Sequence, residues 1–205
     1  MSPVGEPVSG GAESFVVGGR LARVRTRRPR SDRSLIAGAI AGAEADVELL
    51  FRRHWPRAYR AAFMIVQDHA EAEDVAQEAF VAAIRRLDRF DRRRPFGPWL
   101  GAIVANRAID LLRARSARRE TAQASTELEQ RTDSASSAGR YSDEVLEALS
   151  ALSPEQRTVV VMRYVLEYTP GEIARVLGVP RGTVNSRLRR GLDVLESRLR
   201  EAELQ

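Results

Sequence analysis

Residues 181–190 carry the side chains of this sequence that are best suited to binding a nucleic acid. The segment RGTVNSRLRR contains four arginines and no acidic residue. Arginine presents a planar fork of donors to phosphates and guanine, while Asn, Ser and Thr bond to base edges in the major groove. The alternative is an ordinary solvated helix face, since charged surface runs are common. The side chains predicted to face DNA are Arg181, Thr183, Asn185, Ser186, Arg189 and Arg190.

Two predicted helices joined by a tight turn would position this segment. Thr169 to Glu172 reads as a capping box with a proline in the first turn, and Gly178 suits a left-handed helix end. The same pattern at Ser153 to Gln156 predicts the start of an earlier helix. A short helix, a turn and a second helix match helix-turn-helix spacing. The predicted inward residues are Ile173, Ala174, Leu177, Val184, Leu188, Leu192 and Leu195.

A group of acidic and amide side chains lies on a second predicted helix, from Ala70 to Phe90. Carboxylates that face a basic partner supply orientation and encounter rate more than net affinity. The alternative is again a solvated helix face. The predicted outward residues are Asp74, Gln77, Glu78 and Arg85, and the predicted core residues are Ala76, Phe80, Ala83, Leu87 and Phe90.

The segment from Asp88 to Pro98 is a predicted loop dense in arginine, aromatic residues and proline. Guanidinium groups and exposed rings suit unstacked single-stranded bases. The alternative is that Phe96 and Trp99 fill the core, and for Trp99 we favour the core. A helix from Trp99 to Arg115 follows. Its predicted inward residues are Leu100, Val104, Ala108, Leu111 and Leu112, and its predicted outward residues are Asn106, Arg107, Asp110, Arg113 and Arg115.

The composition predicts an all-α protein with two small domains, at 34–115 and 143–205, because helical periodicity dominates and alternation of period two is missing. Residues 1–33 read as a disordered basic tail, and residues 116–142, poor in large apolar side chains, read as a flexible linker. At full stretch such a linker could span ~100 Å. All 33 basic residues are arginines, so the net charge of +5 does not fade with pH.

The sequence offers little support for an enzyme, a metal protein or a membrane protein. It has no nucleophile-elbow, P-loop or dinucleotide-binding motif and no cysteine, and His54 and His69 lack a cluster of carboxylates. The apolar run from Leu35 to Ala43 resembles a secretory signal. However, glycines interrupt it, and the helical spacing of apolar residues continues beyond Ala43, as expected of two amphipathic helices. We therefore expect no cofactor, no membrane insertion and a cytoplasmic location.

Three segments carry a family resemblance. LSPEQRTVVVMRYVLEYTPGEIARVLGVPRGTVNSRLRRGLDVL closely resembles the fourth conserved region of extracytoplasmic-function sigma factors. AEAEDVAQEAFVAA and PWLGAIVANRAIDLLRAR resemble the second conserved region. The resemblance covers roughly Ser34 to Arg115 and Asp143 to Arg200. It departs from the family at Pro180, where many relatives have a capping serine.

The resemblance implies a sigma factor that binds core RNA polymerase, directs it to promoters and helps to open the DNA. The implied docking residues for the coiled coil of the beta-prime subunit are Asp74, Val75, Gln77 and Glu78. The implied minus-ten residues are Arg92, Arg93, Phe96, Asn106, Arg107, Asp110 and Arg113, with the loop from Asp88 to Pro98 as a pocket for a flipped base. Residues 181–190 would read the minus-thirty-five element, and apolar parts of that domain would dock on the beta-subunit flap.

The resemblance also implies an anti-sigma factor as a partner. Because aromatic residues are sparse in the loop and flipping a base costs a few kcal/mol, we expect weak melting and a demand for near-consensus promoters. The alternative function is a helix-turn-helix repressor or activator that binds duplex DNA without polymerase. Only the second domain supports that alternative.

Overall fold

A computed structural model describes residues 30–122 and 143–203, and within these ranges the chain is all-α, as predicted. A 3-10 turn covers Leu87–Arg89. The predicted tail (1–29) and most of the predicted linker (123–142) lie outside the described residues. The helices are α1 (Asp32–Ile40), α2 (Glu44–Val66), α3 (His69–Arg85), α4 (Phe96–Ala122), α5 (Asp143–Ser150), α6 (Pro154–Tyr164), α7 (Pro170–Leu177) and α8 (Arg181–Glu203).

Helices α1 and α2 form the predicted amphipathic pair. The Ser31 hydroxyl caps α1 by accepting a bond from the amide of Ser34, and Leu35 and Ile36 are buried. The two helices approach closely at Gly38, where an added Cβ would lie 1.6 Å from a carboxylate oxygen of the buried Asp46. A larger residue at this position would force the Asp46 side chain to move, since real Cβ atoms do not come so close to another atom.

Helices α2, α3 and α4 pack around a core that combines small and large residues. The large members include Leu50, Ile65, Phe80, Leu100 and Val104, all at most 4% exposed. Side chains of this size each stabilise the fold by about 1.5–3 kcal/mol when fully buried. Alanines fill the seams between the helices and let the backbones approach. These alanines are Ala58, Ala61, Ala62, Ala72, Ala76, Ala79, Ala83, Ala105 and Ala108, at most 3% exposed.

Two predicted helix ends were wrong. Helix α3 ends at Arg85, not Phe90, because the backbone leaves the helical region at Arg86 and tightens into the 3-10 turn. That turn still delivers Leu87 and Phe90 to the core, so the five predicted core positions of this segment are all buried. Helix α4 begins at Phe96 and continues to Ala122, beyond the predicted end at Arg115.

The C-terminal domain, α5–α8, has the two capping boxes that the sequence predicted. The hydroxyl of Ser153 accepts a bond from the amide of Gln156 (3.3 Å), whose side chain accepts one from the Ser153 amide (3.0 Å). Thr169 and Glu172 make the same reciprocal pair at 3.3 and 2.8 Å. Gly178 ends α7 with a φ of 64°. Each cap stabilises its helix by roughly 1 kcal/mol.

One residue of the predicted buried stripe on α8 faces solvent. Val184 and Leu188 are buried, whereas Leu192 is 38% exposed. The stripe instead continues through Gly191, where an added Cβ would lie 3.1 Å from Val160 and 3.2 Å from Leu152. Because the backbone of α8 lies against Val160 and Leu152 at this glycine, the next residue, Leu192, is turned to the side of the contact.

The N-terminal domain, α1–α4, contacts the C-terminal domain directly. Helix α6 packs on α2 and α4, and α7 also contacts α4, so that the described parts of the two domains form one compact unit. The sequence predicted two domains on a flexible connection and did not indicate this contact.

His54 should make the stability of the fold depend on pH. Its side chain is 14% exposed, and its Nε2 atom lies 2.9 Å from a carboxylate oxygen of Asp32. Burial lowers the pKa of His54 below its ordinary value, and this effect outweighs the opposing influence of Asp32. The unfolded chain therefore takes up this proton more readily, and stability present above about pH 6.5 is lost as the pH falls through the folded-state pKa.

Urea unfolding at about pH 7.5 and about pH 5.5 measures this contribution. We expect the wild type to lose more free energy of unfolding between these two pH values than His54→Gln does. An equal loss in the two proteins would show that His54 is not the titrating group.

Candidate nucleic-acid interface and docking face

The first half of α8 presents a basic surface. Arg181, Asn185, Arg189 and Arg190 are exposed, as the sequence predicted. Within the described residues no ion pair occupies Arg181, Arg189 or Arg190. Guanidinium groups without an intramolecular carboxylate keep their donors for phosphate or base edges.

Two of the residues predicted to face DNA are less accessible to a binding partner. Thr183 and Ser186 are half-buried, and the Ser186 hydroxyl donates a 3.0 Å hydrogen bond to the carbonyl of Thr183. That hydroxyl can still accept a hydrogen bond, since a serine oxygen has two lone pairs. The recognition surface is therefore centred on the arginines and Asn185, with Thr183 and Ser186 at its base.

Helix α3 presents an acidic face, which we call the docking face, formed by Asp74, Gln77, Glu78 and Val81. All four side chains are exposed. Val75, which the sequence analysis had placed among the docking residues, is 4% exposed and belongs to the core. Val81, which the polar pattern of the sequence did not single out, is 49% exposed. It lies three residues after Glu78 and four after Gln77, on the same side of the helix. A large exposed aliphatic side chain among polar ones is typical of a protein interface.

Ion pairs join the acidic residues of α3 to arginines of α4. Glu78 lies 3.0 Å from the Arg107 guanidinium, and Glu71 lies 3.3 Å from that of Arg115. The side chains of Glu78 and Arg107 are 62% and 46% exposed, so the pair contributes little to stability and can be exchanged. Glu78, a predicted docking residue, and Arg107, a predicted minus-ten residue, are thus paired with each other.

The loop before α4 turns its arginines outward and its rings inward. Arg92 and Arg93 are exposed, and the Asp91 carboxylate accepts a 3.0 Å bond from the amide of Arg93. Phe96 is 1% exposed and packs its ring 5.7 Å from Trp99. Phe96 therefore fills the core, as does the partly buried Trp99. The minus-ten contact that the resemblance implied for Phe96 is wrong, because its ring is not presented to DNA.

The outward face of α4 follows the prediction. Asn106, Asp110 and Arg113 are exposed, and Asp110 lies 3.9 Å from Arg113. A cleft of about 460 Å³ opens beside Arg113, between the C-terminal half of α4 and the start of α6. Its lining residues are Ile109, Leu112, Arg113, Ser116, Ala117, Pro154 and Glu155.

Neither a metal centre nor a membrane span is found in the part of the chain that the structure describes. Across 30–122 and 143–203, no three His, Asp or Glu side chains converge in a way that could hold a metal ion. No helix in these ranges combines the length and the apolar character needed to cross a bilayer.

Two family models match the chain. The model described as Sigma-70 region 2 matches residues 50–118, and the model described as Sigma-70, region 4 matches residues 142–195. The first match covers the docking face, the loop and α4 as far as Arg118. The second covers α5–α7 and the first half of α8.

Curated relatives match over most of their length. RNA polymerase sigma factor CarQ of Myxococcus xanthus is 35% identical over 170 residues, which cover 80% of this chain and 95% of the relative. ECF RNA polymerase sigma factor SigM of Mycobacterium tuberculosis is 33% identical over 166 residues, covering 80% of this chain and 82% of the relative.

Solved structures share the fold. The sigma factor RpoE in its complex with the anti-sigma factor NepR, from Bartonella quintana, aligns with a TM-score of 0.62 at 22% identity, covering 76% of this chain and 97% of that chain. This likeness concerns the fold alone. CnrH, in complex with the cytosolic domain of CnrY, aligns with a TM-score of 0.57 at 31% identity, covering 83% and 97% of the two chains.

Proposed function

The chain belongs to the extracytoplasmic-function sigma factors, and from that membership we propose which surfaces do the work of a sigma factor in this protein. A sigma factor binds core RNA polymerase, directs it to specific promoters and helps to open the DNA. The observation that supports this function best is that the chain holds both the region 2 and the region 4 segments, each with its charged surface exposed. Within this proposal the chain acts in the cytoplasm without enzymatic activity of its own.

The first half of α8 reads the minus-thirty-five element. Its helix enters the major groove with Arg181 and Asn185 near the N-terminal end, where helix-turn-helix proteins contact base edges. Arg189 and Arg190 lie about two turns after Arg181 and one turn after Asn185. They reach phosphates or base edges. Two observations support this assignment: these four side chains are exposed, and within the described residues none of the three arginines forms an ion pair.

The docking face of α3 binds the coiled coil of the beta-prime subunit of polymerase. Asp74, Gln77 and Glu78 supply charge and hydrogen bonds, and Val81 supplies the apolar centre that a stable interface needs. A basic partner that takes the Glu78 carboxylate releases Arg107 from its 3.0 Å ion pair. Docking on polymerase then makes the Arg107 guanidinium available to DNA.

The minus-ten element is contacted by Arg92, Arg93, Asn106, Arg107 and Arg113. These side chains are exposed on the loop and on α4, and four of the five carry the positive charge that single strands require. Asp110 orients Arg113 across 3.9 Å rather than facing the phosphates. Because Phe96 is buried, base flipping has to be supported by guanidinium stacking and backbone contacts in place of that ring.

An anti-sigma factor is the expected regulatory partner. CnrH, which is 31% identical to this chain, has been solved in complex with the cytosolic domain of CnrY, and its structure covers most of the chain. The RpoE structure was likewise solved with its anti-sigma factor NepR. By analogy we propose that such a protein binds this chain.

A stand-alone repressor is the disfavoured alternative. A repressor needs the helix-turn-helix of the C-terminal domain and has no use for the α3 docking face. The family matches include region 2, and the curated relatives align across both domains.

Transcription in vitro from a fragmented genomic library tests the function. With core polymerase and this protein, we expect new start sites that share two spaced upstream elements, and none of them with core polymerase alone. Tight binding to duplex DNA without association with polymerase would instead support the repressor.

Replacing Arg181 or Arg189 with alanine should weaken holoenzyme binding to a promoter found in that way. Each bidentate base contact that is lost should cost about 1–3 kcal/mol and relax specificity at one position of the upstream element. Arg200→Ala is the matched control, because Arg200 lies on the same helix and pairs with Glu196. Binding curves that do not distinguish the three variants would show that α8 is not the reading helix.

Replacing Val81 with aspartate should weaken association with core polymerase by about tenfold or more, since it places a charge at the apolar centre of the docking face. The side chain is 49% exposed, so the fold should persist. Ile40→Asp is the matched control, because Ile40 is an exposed aliphatic residue of α1 at 38%. Fluorescence anisotropy with labelled sigma factor measures the affinity of both variants for core polymerase. Equal affinities of Val81→Asp and Ile40→Asp would show that Val81 does not belong to the docking face.

A further inference from the structure

His54 of α2 lies at the point where α1, α2 and α4 meet. Its Nε2 atom lies 2.9 Å from a carboxylate oxygen of Asp32, the first residue of α1. Its ring packs edge-on against Phe96, the first residue of α4, with the ring centroids 5.0 Å apart. A Cβ added to the next residue, Gly97, would lie 3.4 Å from the Nδ1 atom of the same imidazole. The imidazole therefore fills the space between the starts of two helices.

Phe96 fixes one end of the loop that carries two of the proposed minus-ten arginines. Phe90, at the other end of the loop, packs edge-on against Phe96 with the ring centroids 5.9 Å apart. Both rings are buried, whereas the residues between them are all exposed. The positions of Arg92 and Arg93 are therefore set from these two anchored rings, and His54 contacts one of the rings directly.

The surroundings of the imidazole favour its neutral form, in spite of Asp32. The charged groups that act on His54 are the Asp32 carboxylate and the guanidinium groups of Arg53 and Arg57. Asp32 also lies 2.6 Å from Arg53, so its negative charge is shared between two partners. The first turn of α4, residues 96–99, contains no charged residue. Burial lowers the pKa of the His54 imidazole below its ordinary value, against the opposing effect of Asp32.

A proton on His54 would be added at an unfavourable place. A neutral ring that donates its Nε2–H to Asp32 carries its lone pair on Nδ1, the atom that faces Gly97. The N-terminus of a helix carries a partial positive charge of about half an elementary charge, so it stabilises a lone pair and repels a cation. Protonation puts a hydrogen atom and a full positive charge on the side of the ring that faces the first turn of α4. The start of α4 then has to move away from the ring.

We propose that neutral His54 is a positioning residue for the minus-ten contacts, because it holds Phe96 and Gly97 where the loop and α4 present their arginines. A proton on the ring displaces the start of α4, so contacts to the minus-ten element weaken while those of α8 to the minus-thirty-five element persist. The inference rests on the proposed function, since it concerns how the proposed minus-ten surface is kept in place. Promoter binding is then fully present while His54 is neutral and is lost as the ring takes up its proton.

NMR titration of the free protein gives the protonation midpoint of His54 independently of any function. The chain has two histidines, so His69→Gln leaves a single imidazole signal, which belongs to His54. We expect its midpoint below about pH 6.5, the value of an unperturbed histidine. In Asp32→Asn the midpoint should move further down, because the carboxylate that favours the proton is gone.

Binding of the holoenzyme to a promoter fragment between about pH 7.5 and about pH 5.5 tests the positioning role. His54→Gln keeps a side-chain N–H for Asp32 and takes up no proton, so it should match the wild type at the upper pH. At the lower pH it should bind at least about threefold more tightly than the wild type, since protonation lowers the competent fraction of the wild type. The pH dependence of core polymerase itself is common to both proteins and cancels in the ratio.

His69→Gln is the matched control. His69 is the other histidine of the chain, and its Nδ1 atom lies 2.7 Å from the Tyr59 hydroxyl, so its pH profile should follow the wild type. Asp32→Asn should keep promoter binding to a lower pH than the wild type does, because its His54 takes up the proton at a lower pH. If the contact between Asp32 and His54 served packing alone, Asp32→Asn would instead weaken binding equally at every pH.

Base substitutions in the promoter show which contacts are lost. In the wild type, the penalty for a minus-ten substitution, expressed as the ratio of the two dissociation constants, should shrink at the lower pH. The penalty for a minus-thirty-five substitution should stay the same. Far-UV circular dichroism should show the same helix content at both pH values.

Identical pH profiles of the wild type and His54→Gln would overturn the proposal, and so would equal pH responses of the two penalties or a loss of helix at the lower pH. A wild type that forms no promoter-specific complex at about pH 7.5 would instead overturn the proposed function. The NMR midpoints of the free protein would be unaffected by that result.

Discussion

The antiparallel packing of α3 against α4 is the contact on which both surfaces of the N-terminal domain depend. Both helices contribute small buried residues to the core, including Ala79 and Ala83 of α3 and Ala105 and Ala108 of α4. Close approach leaves few ways to interlock the large neighbours Phe80, Leu100 and Val104, so the register of the two helices is set by packing. A shift by one helical turn would displace α4 by about 5.4 Å and separate Glu78 from Arg107. The acidic docking face and the basic α4 face are adjacent for this reason.

The C-terminal domain is organised in a different way, by local capping. The starts of α6 and α7 carry complete capping boxes, and α7 ends at a left-handed glycine. The turn of the helix-turn-helix motif is therefore specified by neighbours within a few residues, whereas the placement of α8 depends on its packing against α5, α6 and α7. A rigid turn of this kind holds the arginines of α8 in one orientation, and their mutual repulsion is relieved when an anion binds.

The two domains meet through a surface of a third kind, in which the buried side chains of Leu166 and Tyr168 lie beside an exposed Arg57–Glu167 pair. Gln67 adds part-buried hydrogen bonds to Leu146 and Arg157. A cleft of about 460 Å³ adjoins this surface. The buried apolar residues of the two domains nevertheless form one continuous cluster, so separation of the domains would expose part of that cluster to water. Burial of apolar side chains at this boundary therefore favours the contact between the two domains.

The sequence by itself determined the all-α class, the family, both capping boxes, the glycine at the end of α7 and the outward face of α3. These features depend on residues within one or two helical turns of each other, so periodicity and capping chemistry reveal them. Only the tertiary structure decided that Phe96 and Val75 lie in the core, that Leu192 faces solvent, that Val81 joins the docking face and that Glu78 pairs with Arg107. The packing of Leu166 and Tyr168 against Gly101 was likewise decided only by the tertiary structure. In each case the environment of the side chain is set by a helix distant in sequence, and a periodic pattern states which residues are apolar without stating which surface they meet.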